Sequence, residues 1–192
     1  MRLLSLLLLL FICGGCSLPR TRLIPVDAYT KDHHPQLLRL RFERWGQLLF
    51  SGLIGIDRGD DYLRYILLDG SGITLARARV DQDGNSSDLK AGTMIRESGL
   101  PAFLSETLQR IYLVQPTTLP CSSTFFFKLC LEQKTKNRQK ILSAGPFTVF
   151  KIVYTQTCPT TDQPSIIFSQ PWLGIRLTLR AGPNDSRKRG MP

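Results

Sequence analysis

Residues 37–56 read LLRLRFERWGQLLFSGLIGI, and Leu38, Leu40 and Phe42 there alternate with Arg39, Arg41 and Glu43. A period of two sends successive side chains to opposite faces of a strand, so one face is apolar and the other charged. Residues 48–56 predict a second strand, in which Gly52 and Gly55 mark bulges or bends that help a sheet curl. Working outward, 62–68 and 73–80 read as two further strands joined through Asp69-Gly70-Ser71-Gly72, whose glycines suit a tight hairpin. Residues 81–90 are polar and read as a loop.

One strong helical signal follows at 100–114, where Leu100, Phe103, Leu104, Leu108 and Ile111 recur at spacings of three and four and share one face. Pro101 is tolerated in a first turn, and Pro116 ends the pattern. Beyond it, Phe125, Phe127, Leu129 and Leu131 alternate with Phe126, Lys128, Cys130 and Glu132. Residues 135–138 read as a turn, and 140–144, 147–155, 166–169 and 173–180 continue the strands, the last through Leu173, Ile175, Leu177 and Leu179. About nine strands and one main helix make a mostly β, α+β chain with connections short enough for antiparallel neighbours.

One-sided strands of this kind can curl until their apolar faces look at one another, with the helix closing the opening. The expected architecture is an incomplete antiparallel β-barrel under a helical lid. Its interior is expected to be lined by Leu38, Leu40, Phe42, Phe103, Leu104, Leu108, Phe125, Phe127, Leu129 and Ile175. Phe126 then either faces outward, toward lid, membrane or partner, or packs beneath a loop, and Trp45 and Trp172, with their polar ring nitrogens, suit a cavity rim.

Upstream, Met1-Arg2 and an apolar run from Leu3 to Ile12 have the layout of a secretory signal, too short for the roughly 20 residues a spanning helix needs. Gly14-Gly15-Cys16 resembles the lipobox of bacterial lipoproteins, although Cys13 stands where an aliphatic residue is usual. That resemblance implies cleavage after Gly15 and a diacylglycerol thioether on Cys16. Ser17, in place of an Asp, implies sorting to the outer membrane of a Gram-negative cell, at its periplasmic face. Residues 1–15 are thus expected to be a signal, 16–35 a lipidated tether rich in Pro, Arg, Thr and Asp, 36–182 the folded domain, and 183–192 a basic tail.

Cleavage leaves 177 of the 192 residues, enough for one domain, and lowers the formal charge from +10 to +9 with the loss of Arg2. A basic surface is drawn to anionic headgroups. Nucleic acid is not an expected partner, because no signature for it occurs, and the expected form is a monomer. Cys121 and Cys158 both lie beside prolines at apparent strand ends, which suggests a bridge between them. Three unpaired thiols, Cys130 included, is the alternative, since pairing cannot be deduced from sequence alone.

Leu100-Pro101-Ala102-Phe103-Leu104, then Leu108-Gln109 and Tyr112, then Phe150-Lys151-Ile152-Val153-Tyr154, with ending strands at Ile166 and Leu173, follow one another in a telling order. That order resembles the LolA and LolB lipoprotein carriers. More closely, it resembles an uncharacterised LolB-like lipoprotein family whose genes often lie near those for aryl-polyene lipids. The resemblance covers about 37–181 and implies a hydrophobic cavity for acyl chains or lipoproteins. LolB pushes its cargo into the membrane with an apolar residue on a protruding loop. The comparable connection here, Asp57-Arg58-Gly59-Asp60-Asp61, is wholly polar, so the resemblance extends to the fold and not to that device.

Enzymatic signatures do not emerge. The only histidines, His33 and His34, lie in the tether, away from any serine they would have to activate and outside any recognised metal-ligand spacing. Neither G-x-S-x-G, H-E-x-x-H nor a phosphate loop occurs, and adjacent Asp60 and Asp61 would point to opposite faces of a strand. No catalysis and no cofactor is expected. The chain reads as a lipid or lipoprotein carrier or acceptor, or else as a scaffold with a filled core.

Overall fold

A computed structural model describes residues 35–134, 137–155 and 165–181. Eleven antiparallel strands form one sheet: β1 (Gln36–Arg44), β2 (Gln47–Arg58), β3 (Tyr62–Leu68), β4 (Thr74–Asp81), β5 (Ser86–Ala91), β6 (Cys121–Ser123), β7 (Phe127–Lys134), β8 (Asn137–Ala144), β9 (Phe147–Thr155), β10 (Ser165–Gln170) and β11 (Ile175–Ala181). Two helices, α1 (Thr93–Glu97) and α2 (Leu100–Tyr112), separate β5 from β6, and a single 3₁₀ turn, Pro171–Leu173, separates β10 from β11.

The strand order β5-β4-β3-β2-β1-β11-β10-β9-β8-β7-β6 is two meanders welded where β1 meets β11. Within each meander consecutive strands are neighbours, but β5 and β6 end on opposite edges, so the chain between them must cross the sheet. Helix α2 makes that crossing. Thirteen residues long, about 20 Å, it lies over β3, β4 and β5 and also meets side chains from β1, β8, β9 and β10. A sheet that touches one short helix from so many strands must curl around it.

The alternation read in β1 and β11 sets which face is dry. Phe42 faces Leu177 across the β1–β11 pair, and Leu40 faces Leu179, while Arg39 faces Arg180 on the other side. Leu40, Leu177 and Leu179 are buried in the core shared with α2. One inward row crosses seven strands in register: Phe50, Phe42, Leu177, Phe168, Ile152, Lys140 and Leu131.

Several expectations are corrected. Residues 86–91 form the edge strand β5 rather than loop, and β6 is a second short edge strand, which raises nine strands to eleven. Short edges expose few unpaired backbone groups to other chains. The helix ends at Tyr112, and Leu173 belongs to the 3₁₀ turn instead of β11. Gly52 is not at a bulge, since the β1–β2 register slips between Phe42 and Glu43 instead. A glycine is needed at 52 because an added Cβ would run into the carbonyl of Leu68 and the Phe50 ring.

Cys121 is bonded to Cys130, not to Cys158. Proline neighbours misled the reading, because pairing follows strand register: Cys121 and Cys130 are directly opposite on β6 and β7, their Cα atoms 4.1 Å apart. A non-reducing digest is expected to yield the 121–130 cross-linked peptide, with Cys158 alkylated without prior reduction. A peptide linking Cys158 to either partner would contradict this pairing. Cys158, like Cys16, His33, His34, the signal, the tether and the basic tail, lies outside the described residues.

Candidate functional site

The candidate site is the concave face beneath and beside α2. Its floor is aliphatic and aromatic. Leu104, Leu108 and Ile111 of α2 are fully buried against the sheet, together with Ile152, Phe168 and Leu177. Phe103 bridges the helix to the wall, its ring 4.9 Å from that of Phe42 and 6.4 Å from that of Phe168, and Phe168 lies 5.9 Å from Phe150.

Polar groups pin α2 at both ends. Near its start the Tyr65 hydroxyl donates to the Pro101 carbonyl at 3.0 Å, which Ser105 Oγ also reaches at 2.9 Å. Burial pushes the Tyr65 hydroxyl above its ordinary pKa, so it stays protonated and remains a donor. At the far end the last carbonyls of a helix have no partner within it. Lys140, wholly buried, fills that need: its Nζ donates to the carbonyls of Arg110 and Ile111 at 2.9 Å and of Val114 at 2.7 Å. The Tyr154 hydroxyl donates to the Ile111 carbonyl at 2.6 Å.

Burial and the neighbouring Arg138 push the Lys140 ammonium down to about 7. The three carbonyls at the negative end of the helix dipole pull the other way, toward the charged form. Arg110 pairs with Glu106 one turn earlier and lies over the Phe150 ring at 5.5 Å. Burial raises the Tyr112 hydroxyl pKa, and Arg58 lies over its ring at 5.2 Å.

The residues expected to line the interior divide into three groups. Leu40, Leu104, Leu108 and Leu129 are buried in the core. Leu38, Phe42, Phe103 and Ile175 are half-buried and packed against it, and Phe127 is half-buried at the start of β7. Phe125 is a correction: it is 93% exposed, in the loop before β7, because β7 begins two residues later than the alternation implied. Phe126 faces outward rather than packing beneath a loop, and Trp45 and Trp172 are both exposed at turns.

Sequence reasoning missed Lys140 and Tyr65. Tyr65 shares a face with Leu63 and Leu67, which period two could have revealed. Lys140 was hidden, because Ile141 and Leu142 are adjacent and leave the inward face of β8 undetermined.

Among the described residues no three His, Cys, Asp or Glu side chains gather as a metal site, and no helix is long and apolar enough to cross a membrane. Compared with known proteins, the chain matches no family model and no curated sequence.

Proposed function

We propose that this chain is a lipoprotein acylated on Cys16 at the periplasmic face of an outer membrane, and that its sheet is an incomplete barrel of the LolA and LolB kind. Its concave face takes an acyl chain, free or carried by a lipoprotein, by apolar burial and without chemistry. The observation that carries the reading is the half-buried apolar set on that face, Phe42, Phe50, Phe103, Leu142 and Ile175, all packed against the core yet still in contact with water. A hydrocarbon tail laid over them would remove that surface from water. Eight buried methylenes contribute about 6 kcal/mol, enough for a dissociation constant on the order of tens of micromolar.

A second reading has its own support. Phe150, Ile152, Phe168 and Leu177 are already buried beneath α2. A core filled in this way suits a tethered scaffold that recruits an envelope complex through its outer face.

Native mass spectrometry of a soluble form beginning after Cys16 separates the two. The carrier is expected to retain lipid or to take up a fluorescent fatty acid saturably. Phe42→Asp, which sets a carboxylate among half-buried rings, is expected to weaken uptake at least about tenfold, since a charge near a hydrocarbon tail must be desolvated. A ligand-free protein with no saturable uptake leaves only the scaffold.

A further inference from the structure

Strand direction sorts the turns to two ends of the sheet. The connections β1–β2, β3–β4, β6–β7, β8–β9 and β10–β11 share one end, and β2–β3, β4–β5 and the junction of β7 with β8 share the other. The first end exposes Trp45, Phe125, Phe126, Phe147, Trp172 and Leu173.

Contacts link these turns into one arc. The Trp45 amide donates to the Gly174 carbonyl at 2.7 Å, and an added Cβ at Gly174 would run into the Trp45 ring. Trp172 meets the Phe147 ring edge-on at 5.3 Å. The Gly145 amide, two residues before Phe147, donates to the Phe126 carbonyl at 3.3 Å, and Phe126 packs edge-on against Phe125 at 4.5 Å. Four hairpin tips thus present a continuous aromatic edge to solvent.

Trp45 is held there against its conformational preference. It has φ +52° and Gly46 has φ +78°, the two left-handed positions of a primed hairpin turn, where Asn-Gly is the usual pair.

Basic side chains flank the arc, and the Asp69 carboxylate sits in the β3–β4 turn at the same end, accepting bonds from Ser71 and the Ile73 amide. The exposed Arg44, Lys128 and Arg176 border the arc, and the nearby Glu43 carboxylate accepts a bond from Arg41. The opposite end holds Asp57, Asp60, Asp61, Asp81 and Asp83 beside Arg58, together with Lys134 and Arg138 where β7 meets β8. A negatively charged surface would attract the basic side chains that border the arc.

We infer that the aromatic arc docks the domain on a lipid bilayer with anionic headgroups. Tryptophan, with an apolar body and one N–H, favours the headgroup boundary, and basic neighbours add attraction to anionic lipid. The docking does not depend on what the concave face holds, so it can fail while acyl-chain uptake stands. It is compatible with an anchor at Cys16. The 20 residues from there to Gln36, where β1 starts at the far end, span up to about 66 Å, against about 40 Å for the twelve residues of β2.

Trp45 and Trp172 are the only tryptophans of the chain, so its indole emission reports on the arc alone. The full chain, mixed with phosphatidylglycerol-containing vesicles whose acyl chains are brominated, is expected to show blue-shifted and quenched emission, less so at high salt. Trp45→Asn keeps a residue suited to the turn and leaves Trp172 as reporter. It is expected to move the docked-to-free ratio about tenfold toward free. Emission unchanged on chains that nevertheless co-sediment with vesicles would overturn the docking. So would a blue shift that grows with protein concentration and needs no lipid, because a second copy would then cover the arc.

Discussion

Lys140→Met is expected to lower stability by about 3 kcal/mol and the midpoint of thermal unfolding by on the order of 10 °C. Methionine fills the same space but donates nothing. The carbonyls of Arg110 and Val114 then lose the bonds from Nζ, while that of Ile111 keeps the Tyr154 hydroxyl. A buried acceptor left without a partner costs roughly 1–3 kcal/mol, and relief from burying an amine offsets part of the loss. The same variant removes a pH dependence. The folded chain holds the Lys140 proton up to about pH 7, whereas the unfolded chain holds it to the ordinary value of 10.5. Between those limits the unfolded state binds more protons, so wild-type stability rises with pH by at most about 1.4 kcal/mol per unit. That contribution is complete above about 10.5 and gone below about 7. Denaturant titrations from pH 7 to 9.5 check it, stopping below the range where Tyr65 and Tyr112, held protonated by burial, oppose the trend. A variant as stable as wild type would show that Lys140 does not hold the end of α2.

What could be read from the chain follows from how local each signal is. Strands β1 and β3 bury one face and wet the other, and β11 does so apart from the buried Thr178, so their alternation carries the answer in seven to nine residues. The helix likewise shows itself through Leu104, Leu108 and Ile111 on one face. Strands β5, SSDLKA, and β6, CSS, bury almost nothing, and they exist because β4 and β7 offer free backbone groups to pair with. No pattern within them could announce that. The disulfide depends on the same pairing, and proline neighbours are no substitute for register. Three consecutive phenylalanines cannot all alternate, and the strand resolves the conflict by starting at Phe127 and leaving Phe125 and Phe126 in the loop. Of the candidate site, the apolar wall was legible as a set of faces. Its polar fastenings were not, because Lys140 and Tyr65 act on backbone carbonyls some 30 residues away in sequence.

Phe168→Ala tests whether the interior admits hydrocarbon. Phe168 stands in the middle of the inward row, fully buried, between Leu177 and Ile152, with Phe103 and Phe150 against its ring. Truncation removes an entire ring from a site hemmed in by four other large side chains, so collapse is limited. The expected loss is about 3–5 kcal/mol, in the range of buried aromatic deletions. The hole would lie beneath Phe103, whose other neighbour is the half-buried Phe42, so it would join the water-facing part of the concave face. If that face is an acyl site, a fatty acid should enter further than in wild type and return part of the lost stability. At a hundred times its dissociation constant a ligand restores about 2.7 kcal/mol, which thermal unfolding with and without dodecanoate would register. A variant that loses the stability and gains nothing from dodecanoate, while remaining folded, would mean that no path leads from water into the hole. The interior would then be a closed core, and the carrier reading would give way to the scaffold.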